Sequence, residues 1–447
     1  LHSFPTRRSS DLQNISEGGN DMKRRLLSLV MATGLLVSLI TGCGKTEASS
    51  EKKVTIVFGD QVANVEESSK YLWDVAQEFM KKNPDITIEF QGSDHEDYIS
   101  KLKMATQSDS LPDVFWIEPS MLSEFSENGY IYDLTEDAKV RGIMDRFQDG
   151  MLDVNMVDGK LYGLPSEVML PCYYYNKEIF KKYNLEVPKT WDEFLEVCKV
   201  LSAEGVTPIA KGALSNWSVW NWQNIFVRYG FFNDIDDILN GEKSFNNDNF
   251  IHAYEKIKEL SDAGAYAENV KTIDYYQAIE VFLAGNAAML DSGNFACRDI
   301  ENSEIANEVG CFSYPLIENG VTDEMTRIGT FNGPYAVSSK AASDEAKKEA
   351  IFKFFEFYYS EEGAQIVANT NMLPTSKFSG TVDAEKNPVF AQIVDLYNEE
   401  GWSNQFQPYG YMATNVADTW ADSMWGVALG NYTPEEAAEK VEQEIRY

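Results

Sequence analysis

Apolar positions along this chain repeat in two periods, and the places where one period gives way to the other predict its elements. Residues 54–58 form a β-rich run that stops at Gly59-Asp60-Gln61. Leu72, Val75, Ala76, Phe79 and Met80 then recur at helical spacing until Asn83-Pro84 ends the helix. Residues 86–90 predict a second strand, Ile99, Leu102 and Ala105 a second helix, and residues 114–117 a third strand after Leu111-Pro112. Strand, helix, strand, helix, strand implies a parallel sheet with right-handed crossovers. Ligands bind such sheets outside the carboxyl ends of the strands. That rule puts Asp60 and Gln61, then Ser93 to His95, then Trp116 and Glu118 along one rim.

A denser stretch follows at residues 158–194. It opens with a turn at Asp158-Gly159 and reaches Tyr162-Gly163-Leu164-Pro165, where glycine and proline punctuate the backbone. Residues 169–175 are apolar and tyrosine-rich, a strand signal. Asn176-Lys177 closes the strand, and a helical run carries Ile179 and Phe180 as far as Pro188. Thr190-Trp191-Asp192-Glu193 is a capping box: Thr190 accepts from orphan N–H groups, and Glu193 reaches back from the third helical position. Further on, residues 276–289 read as a helix with Ile279, Phe282 and Leu283 on one face. Residues 350–359 are apolar nearly all round, the mark of a buried helix. Thr433-Pro434-Glu435-Glu436 is a second capping box, with proline at the first helical position.

One segment is chemically unusual. Trp217, Trp220 and Trp222 fall within six residues, with Asn216, Ser218 and Asn221 among them. Trp217 and Trp220 share a side at helical spacing and fit a core. Aromatic faces flanked by hydrogen-bonding side chains also suit a sugar, whose rings present apolar C–H faces and hydroxyls together.

The order of these parts resembles the family 1 extracellular solute-binding proteins that feed carbohydrate ABC importers. Their "YGLP…YYNK…P.TW.EF" segment, carried here by residues 162–194, marks the first crossing between two lobes. Residues 282–295, FLAGNAAMLDSGNF, resemble the family's "F..GkaAM...G.W" element of helix, short strand and turn, and Phe295 stands where tryptophan is common. Residues 328–337, with Asn332 and Gly333, resemble the return to the first lobe, and Asn371-Met372-Leu373-Pro374-Thr375 the "G.lP" turn that leaves it again. Trp402 lies near that final stretch. The resemblance implies an α/β fold of two lobes, each a mainly parallel sheet flanked by helices, with a hinge between them. The expected division is 54–165 plus 310–374 for the first lobe and 166–309 plus 375–447 for the second. It implies no catalysis: the chain binds a sugar or oligosaccharide, acts as a monomer and delivers to ABC permease subunits. The expected ligand-binding residues are Asp60, Gln61, His95, Trp116, Glu118, Glu167, Trp217, Trp220, Asp291, Phe295, Asn332 and Trp402.

The start of the chain reads differently. Residues 1–21 carry no hydrophobic period and are expected to lie outside the native protein, because Met22 opens an export signal. Lys23, Arg24 and Arg25 precede an apolar run at residues 26–40, shorter than the ~20 residues a membrane-spanning helix needs. Ile40-Thr41-Gly42-Cys43 resembles a bacterial lipobox. Residues 22–42 are thus an expected lipoprotein signal peptide, Cys43 the lipidated residue and residues 43–53 a tether. The expected location is the outer face of a Gram-positive cell membrane, held by the lipid anchor.

Composition narrows the chemistry. The formal charge is −33, which argues against nucleic acid as a partner. Cys172, Cys198, Cys297 and Cys311 form no CxxC pair and sit in part in apolar runs, so buried free thiols are expected. Only His95 and His252 remain after residue 43, and HExxH, GxSxG and glycine-rich nucleotide fingerprints are all missing; no cofactor or metal is expected. Two rival readings stay open. One keeps the fold and binds a polyamine or peptide through Asp60, Glu118, Glu167 and Asp291. The other is an exported glycoside hydrolase, which needs two positioned carboxyl groups.

Overall fold

The computed structural model describes residues 53–147, 151–329, 333–399, 401–405 and 407–446. The signal peptide, Cys43 and Asn332 expected from the sequence lie outside these residues. In chain order the strands are β1 (Val54–Asp60), β2 (Ile86–Gly92) and β3 (Val114–Trp116), a hairpin of β4 (Met156–Val157) and β5 (Lys160–Leu161), then β6 (Leu164–Pro165) and β7 (Pro171–Asn176). They continue with β8 (Thr207–Ala210), β9 (Ala287–Gly293), β10 (Val309–Ser313), β11 (Thr326–Ile328), β12 (Pro334–Val337) and β13 (Ser403–Gln405).

Two sheets organise the molecule. The first has the order β2-β1-β3-β12-β6, with β1 parallel to β2 and β3 as their alternation with helices predicts. β12 enters antiparallel, placing Tyr335 opposite Trp116 and Pro334 opposite Pro165. Helix Lys70–Lys82 buries Leu72, Val75, Ala76 and Phe79, four of the five positions its period marks. Helix Glu345–Tyr358, apolar on most sides, sends Phe354 edge-on to Phe58 and Phe79, which removes it from water between sheet and helix.

The second sheet has the order β10-β7-β9-β8, with β7 antiparallel to both neighbours and β8 parallel to β9. Strand β10 belongs here, whereas the expected division gave residues from 310 onward to the first lobe. Its backbone pairs with β7 from Val309↔Asn176 to Ser313↔Cys172, so the chain returns to the first sheet only between β11 and β12. Both capping boxes form: Thr190 Oγ1 accepts from Glu193 N, and Thr433 Oγ1 from Glu436 N. The last helix, Pro434–Arg446, packs with Thr414–Ala428 against Asp248–Asp262 and completes the second core.

The run expected as one helix over 276–289 is a helix, Tyr275–Leu283, followed by β9. Gly285 turns the chain between them at φ +72°, a conformation glycine adopts without steric cost. The four cysteines are free thiols, three buried and Cys311 partly so. Among the described residues no helix is long and apolar enough to cross a membrane.

Candidate functional site

The carboxyl ends of β1, β2 and β3 converge as the parallel topology requires. Gln61 follows β1, His95 opens the helix after β2, and Glu118 follows β3. The His95 imidazole joins them, with Nδ1 2.6 Å from Gln61 Oε1 and Nε2 3.3 Å from Glu118 Oε1. Trp116 lies beneath, its indole edge-on to His95 at 5.7 Å and to Tyr98 at 6.3 Å. Gly333 makes this possible: a Cβ there would stand 2.5 Å from the Trp116 ring and 2.4 Å from Ile117 O. Among the described residues the buried Trp116 indole N–H has no hydrogen-bond partner.

Asp60 ends β1 almost fully buried. Val62 N and Ser69 Oγ donate to its Oδ1. Burial, and then the charge of nearby Glu167, push its carboxyl up to about 7 against those hydrogen bonds. At neutral pH this group therefore exists in both protonation states, and the neutral acid donates a hydrogen bond as well as accepting one.

Glu167 belongs to the short crossing from β6 to β7. The crossing is pinned at both ends. Tyr359 Oη donates to Pro165 O, Tyr358 Oη to Ser166 O, and Ser166 Oγ to Gly333 O. At the other end one side chain makes two bonds: Asn294 Oδ1 accepts from Leu170 N, and its Nδ2 donates to Val168 O. Two residues beyond Glu167, Met169 packs with Phe295 against the cluster of Trp220, Val227 and Ile328. Five residues of chain thus carry an acidic group beside Asp60 and an apolar one beside Trp220, so the two sets border one cleft.

The second lobe's side of that cleft is aromatic. Trp217 and Trp220 lie on the 3₁₀ turn Asn216–Trp222. Phe295 stands 5.7 Å from Trp220, 6.4 Å from Trp217 and 5.7 Å from Tyr275, centroid to centroid. Gly293 gives them room, since a Cβ there would meet Phe295 at 2.5 Å and Trp220 at 2.9 Å. Among the described residues the indole N–H of Trp220, like that of Trp116, is buried without a partner. Trp222 points away, into the core against Trp425.

Asp291 has a different part from the one expected of it. Its Oδ2 accepts from Lys211 Nζ at 2.6 Å and its Oδ1 from Asn221 Nδ2 at 2.6 Å, both inside the second lobe. With its oxygens engaged by protein donors and its side chain buried, it fixes the tryptophan turn to β9 and leaves hydroxyl recognition to other groups. Trp402 is likewise occupied: the Arg327 guanidinium lies 4.8 Å over its ring, and its indole N–H donates to Glu399. Sequence reasoning missed Lys211, because a single lysine after an apolar strand reads as surface; its place at the carboxyl end of β8 was the available signal. It also missed Arg298, whose Nη1 donates to Glu67 O across the mouth of the cleft at 2.7 Å. Elsewhere along the mouth the turn Pro119–Met121 lies against Pro408–Tyr411.

Comparison with known proteins bears on the family and the fold. The sequence profile of the bacterial extracellular solute-binding protein family matches residues 63–365. The multiple sugar-binding protein of Streptococcus mutans serotype c is 26% identical over 386 residues, spanning 79% of this chain and 87% of its own. An ABC transporter extracellular-binding protein of Pyrococcus horikoshii is 23% identical over 309 residues, 66% of this chain and 71% of its own. A structure solved in work on xylan utilization by Caldanaerobius polysaccharolyticus superposes with a TM-score of 0.74 at 28% identity, covering 88% of this chain and 100% of that one. A chitin oligosaccharide binding protein gives the same TM-score at 23% identity, covering 88% and 98%.

Proposed function

This chain belongs to the bacterial extracellular solute-binding proteins, and from that membership we propose that it captures a sugar or oligosaccharide between its lobes and delivers it to the permease of an ABC importer. The observation that carries the reading is the placing of polar groups, Gln61, His95 and Glu118, at the strand ends of the first sheet and of an aromatic face, Phe295 and Trp220, on the second lobe. A ligand with hydroxyls beside apolar ring faces fits both at once. Gln61, His95 and Glu118 form the polar rim, Asp60 and Glu167 the acidic floor, and Phe295 with Trp220 the stacking face. These groups read hydroxyls and take part in no catalytic step.

The names of similar proteins point the same way: one binds multiple sugars and another chitin oligosaccharides. A polyamine would call for a carboxylate cage, and Asp291, one of its four expected members, is neutralised by Lys211.

Delivery needs closure. The crossing at residues 166–170 is a hinge strand of this reading, and the first lobe ends with the chain near 374. Hinge closure around a ligand is an established repertoire for two-lobed proteins. Calorimetry against xylo-, chito- and malto-oligosaccharides tests the ligand class, and small-angle scattering tests the motion. Saturable binding with a smaller radius of gyration is expected. Failure of every sugar to bind removes the carbohydrate reading, and binding without compaction removes the hinge.

A further inference from the structure

Lys211, Arg228 and Arg327 are the buried cations among the described residues. Buried charges are ordinarily paired, because an ion taken out of water needs a counter-charge to offset its lost hydration. Lys211 follows that rule, with Asp291 at 2.6 Å. The two arginines do not: every acceptor they reach among the described residues is neutral. Arg228 donates from Nε to Ile317 O and from Nη1 to Thr322 O. Arg327 donates from Nε to Asn404 Oδ1, from Nη1 to Ser313 Oγ and from Nη2 to Leu396 O. Scarcity of carboxylates does not explain this in a chain with 71 acidic residues against 38 basic ones.

Both arginines line one cavity. Arg228 ends the helix Gln223–Arg228 and Arg327 lies on β11, while Asn224, Tyr314 and Trp402 supply much of the remaining wall. The interior has room for about one water-sized group. Its one acidic lining residue, Glu324, is solvent-exposed and forms no ion pair with either arginine among the described residues. The walls are held in place. Val321 N and Thr322 N both donate to Arg228 O, and a Cβ at Gly320 would stand 2.5 Å from the Arg228 guanidinium carbon. The Trp402 ring covers the Arg327 guanidinium at 4.8 Å. Glu399 lends Arg327 only its field, since its Oε2 accepts from the Trp402 indole and the Ser313 hydroxyl. Burial pulls the Arg327 guanidinium down to about 10, against the opposing charge of Glu399.

We propose that this cavity is a site for one small monovalent anion of the halide class, held between Arg228 and Arg327. The anion supplies the counter-charge that the fold itself does not bring to these two groups. The size of the cavity selects a single-atom ion over sulfate or phosphate, and the Glu324 carboxylate disfavours higher charge. The site shares no residue with the rim, floor or stacking face of the cleft, so it stands whether or not the ligand there is a sugar. Its occupant braces the loop at residues 317–322 against β11, the last strand before the chain returns to the first sheet.

The test is thermal unfolding of the protein in sodium gluconate, with chloride and then bromide replacing gluconate at constant ionic strength. Fixed ionic strength removes general screening from the comparison. A ligand bound only by the folded state raises stability by mass action, so the melting temperature should climb with chloride in proportion to occupancy of one site, and bromide should act alike. Crystals soaked in bromide should show an anomalous peak in contact with both guanidinium groups. Arg228→Gln should abolish the chloride response. Glu324→Gln, a change at an exposed position, should tighten the apparent Kd for chloride several-fold by removing a like charge, and it decides the matter if Arg228→Gln does not fold. A parent indifferent to chloride overturns the site, because neutral acceptors then suffice. A chloride response confined to Glu324→Gln overturns it by making that carboxylate the arginines' own counter-charge. A response that persists in Arg228→Gln overturns it as a general salt effect, and a bromide peak without any response in solution as binding at crystal concentration only.

Discussion

Lys211 Nζ lies 2.6 Å from Asp291 Oδ2 with both side chains almost wholly removed from solvent. The amino group also donates to Ser218 O and sits 4.7 Å over the Trp222 ring, while Asn221 takes the other carboxylate oxygen. Burial lowers the pKa of Lys211, and the charge of Asp291 opposes that pull. The pair couples β9 to the turn that presents Trp217 and Trp220. Breaking a buried pair from one side leaves an uncompensated charge and costs about 3–5 kcal/mol. Lys211→Met should therefore lose about that much stability in urea unfolding, whereas Lys211→Met with Asp291→Leu should recover most of it. A double variant no more stable than the single one would show that the pair is not what holds the turn.

Much of the first lobe was legible from the chain. Period-two runs alternating with helical runs predict a parallel sheet, and strand ends then bring Gln61, His95 and Glu118 together without further information. The capping boxes at Thr190 and Thr433 were legible because their chemistry is local. What failed was non-local. Asp291 looked like a free acceptor because its partner lies 80 residues away at Lys211. Trp217 and Trp220 share a side by spacing, yet one is exposed and the other covered, since Trp220 packs into a cluster with Val227 and Ile328. The helix over 276–289 ran too long because Ala287, Ala288 and Met289 fit a buried strand as well as a helix; Gly285-Asn286 was the break in the pattern.

The unpartnered indoles allow a substitution that separates affinity from stability. Phenylalanine at Trp116 or Trp220 keeps an aromatic face and removes the N–H. In the ligand-free protein that donor is buried and unsatisfied, so its loss offsets part of the packing lost with the larger ring. In the complex its loss removes a hydrogen bond worth about 0.5–1.5 kcal/mol. Trp116→Phe and Trp220→Phe should each weaken binding several-fold by calorimetry with little change in melting temperature. Alanine is the wrong probe, because emptying a buried tryptophan site costs about 3–5 kcal/mol of folding stability by itself.

Anchoring is tested at Cys43, the last residue of Ile40-Thr41-Gly42-Cys43. One acyl chain holds a protein to a membrane only marginally, so stable attachment needs two or more, which a diacylglyceryl modification of this cysteine supplies. Cys43→Ser should move the exported protein from the membrane fraction to the medium or stall its processing. A variant that pellets with membranes as fully as the parent rules the anchor out.

Asp60 gives the protein a pH response with a defined sign. Its carboxyl has a folded pKa of about 7, raised from the ordinary 3.8 of an aspartate chiefly by burial and then by Glu167. Between those two values the folded protein holds a proton that the unfolded chain has released. Stability must then fall as pH rises through this window and level off above it, because the state binding more protons gains on acidification. Unfolding measured in urea from pH 5 to pH 8 should show the parent most stable at the acidic end as far as this group is concerned. Asp60→Asn, which keeps the shape and one acceptor without the ionisable proton, should flatten that part of the profile. The difference between the two curves reads Asp60 together with its coupling to Glu167. Adding a bound oligosaccharide sharpens the reading: a hydroxyl donating to Asp60 favours the ionised form and should pull the transition to lower pH. A parent and variant whose profiles run parallel across the whole range would mean that Asp60 stays ionised in the folded protein, and that Glu167 and burial do not act on it as the geometry requires.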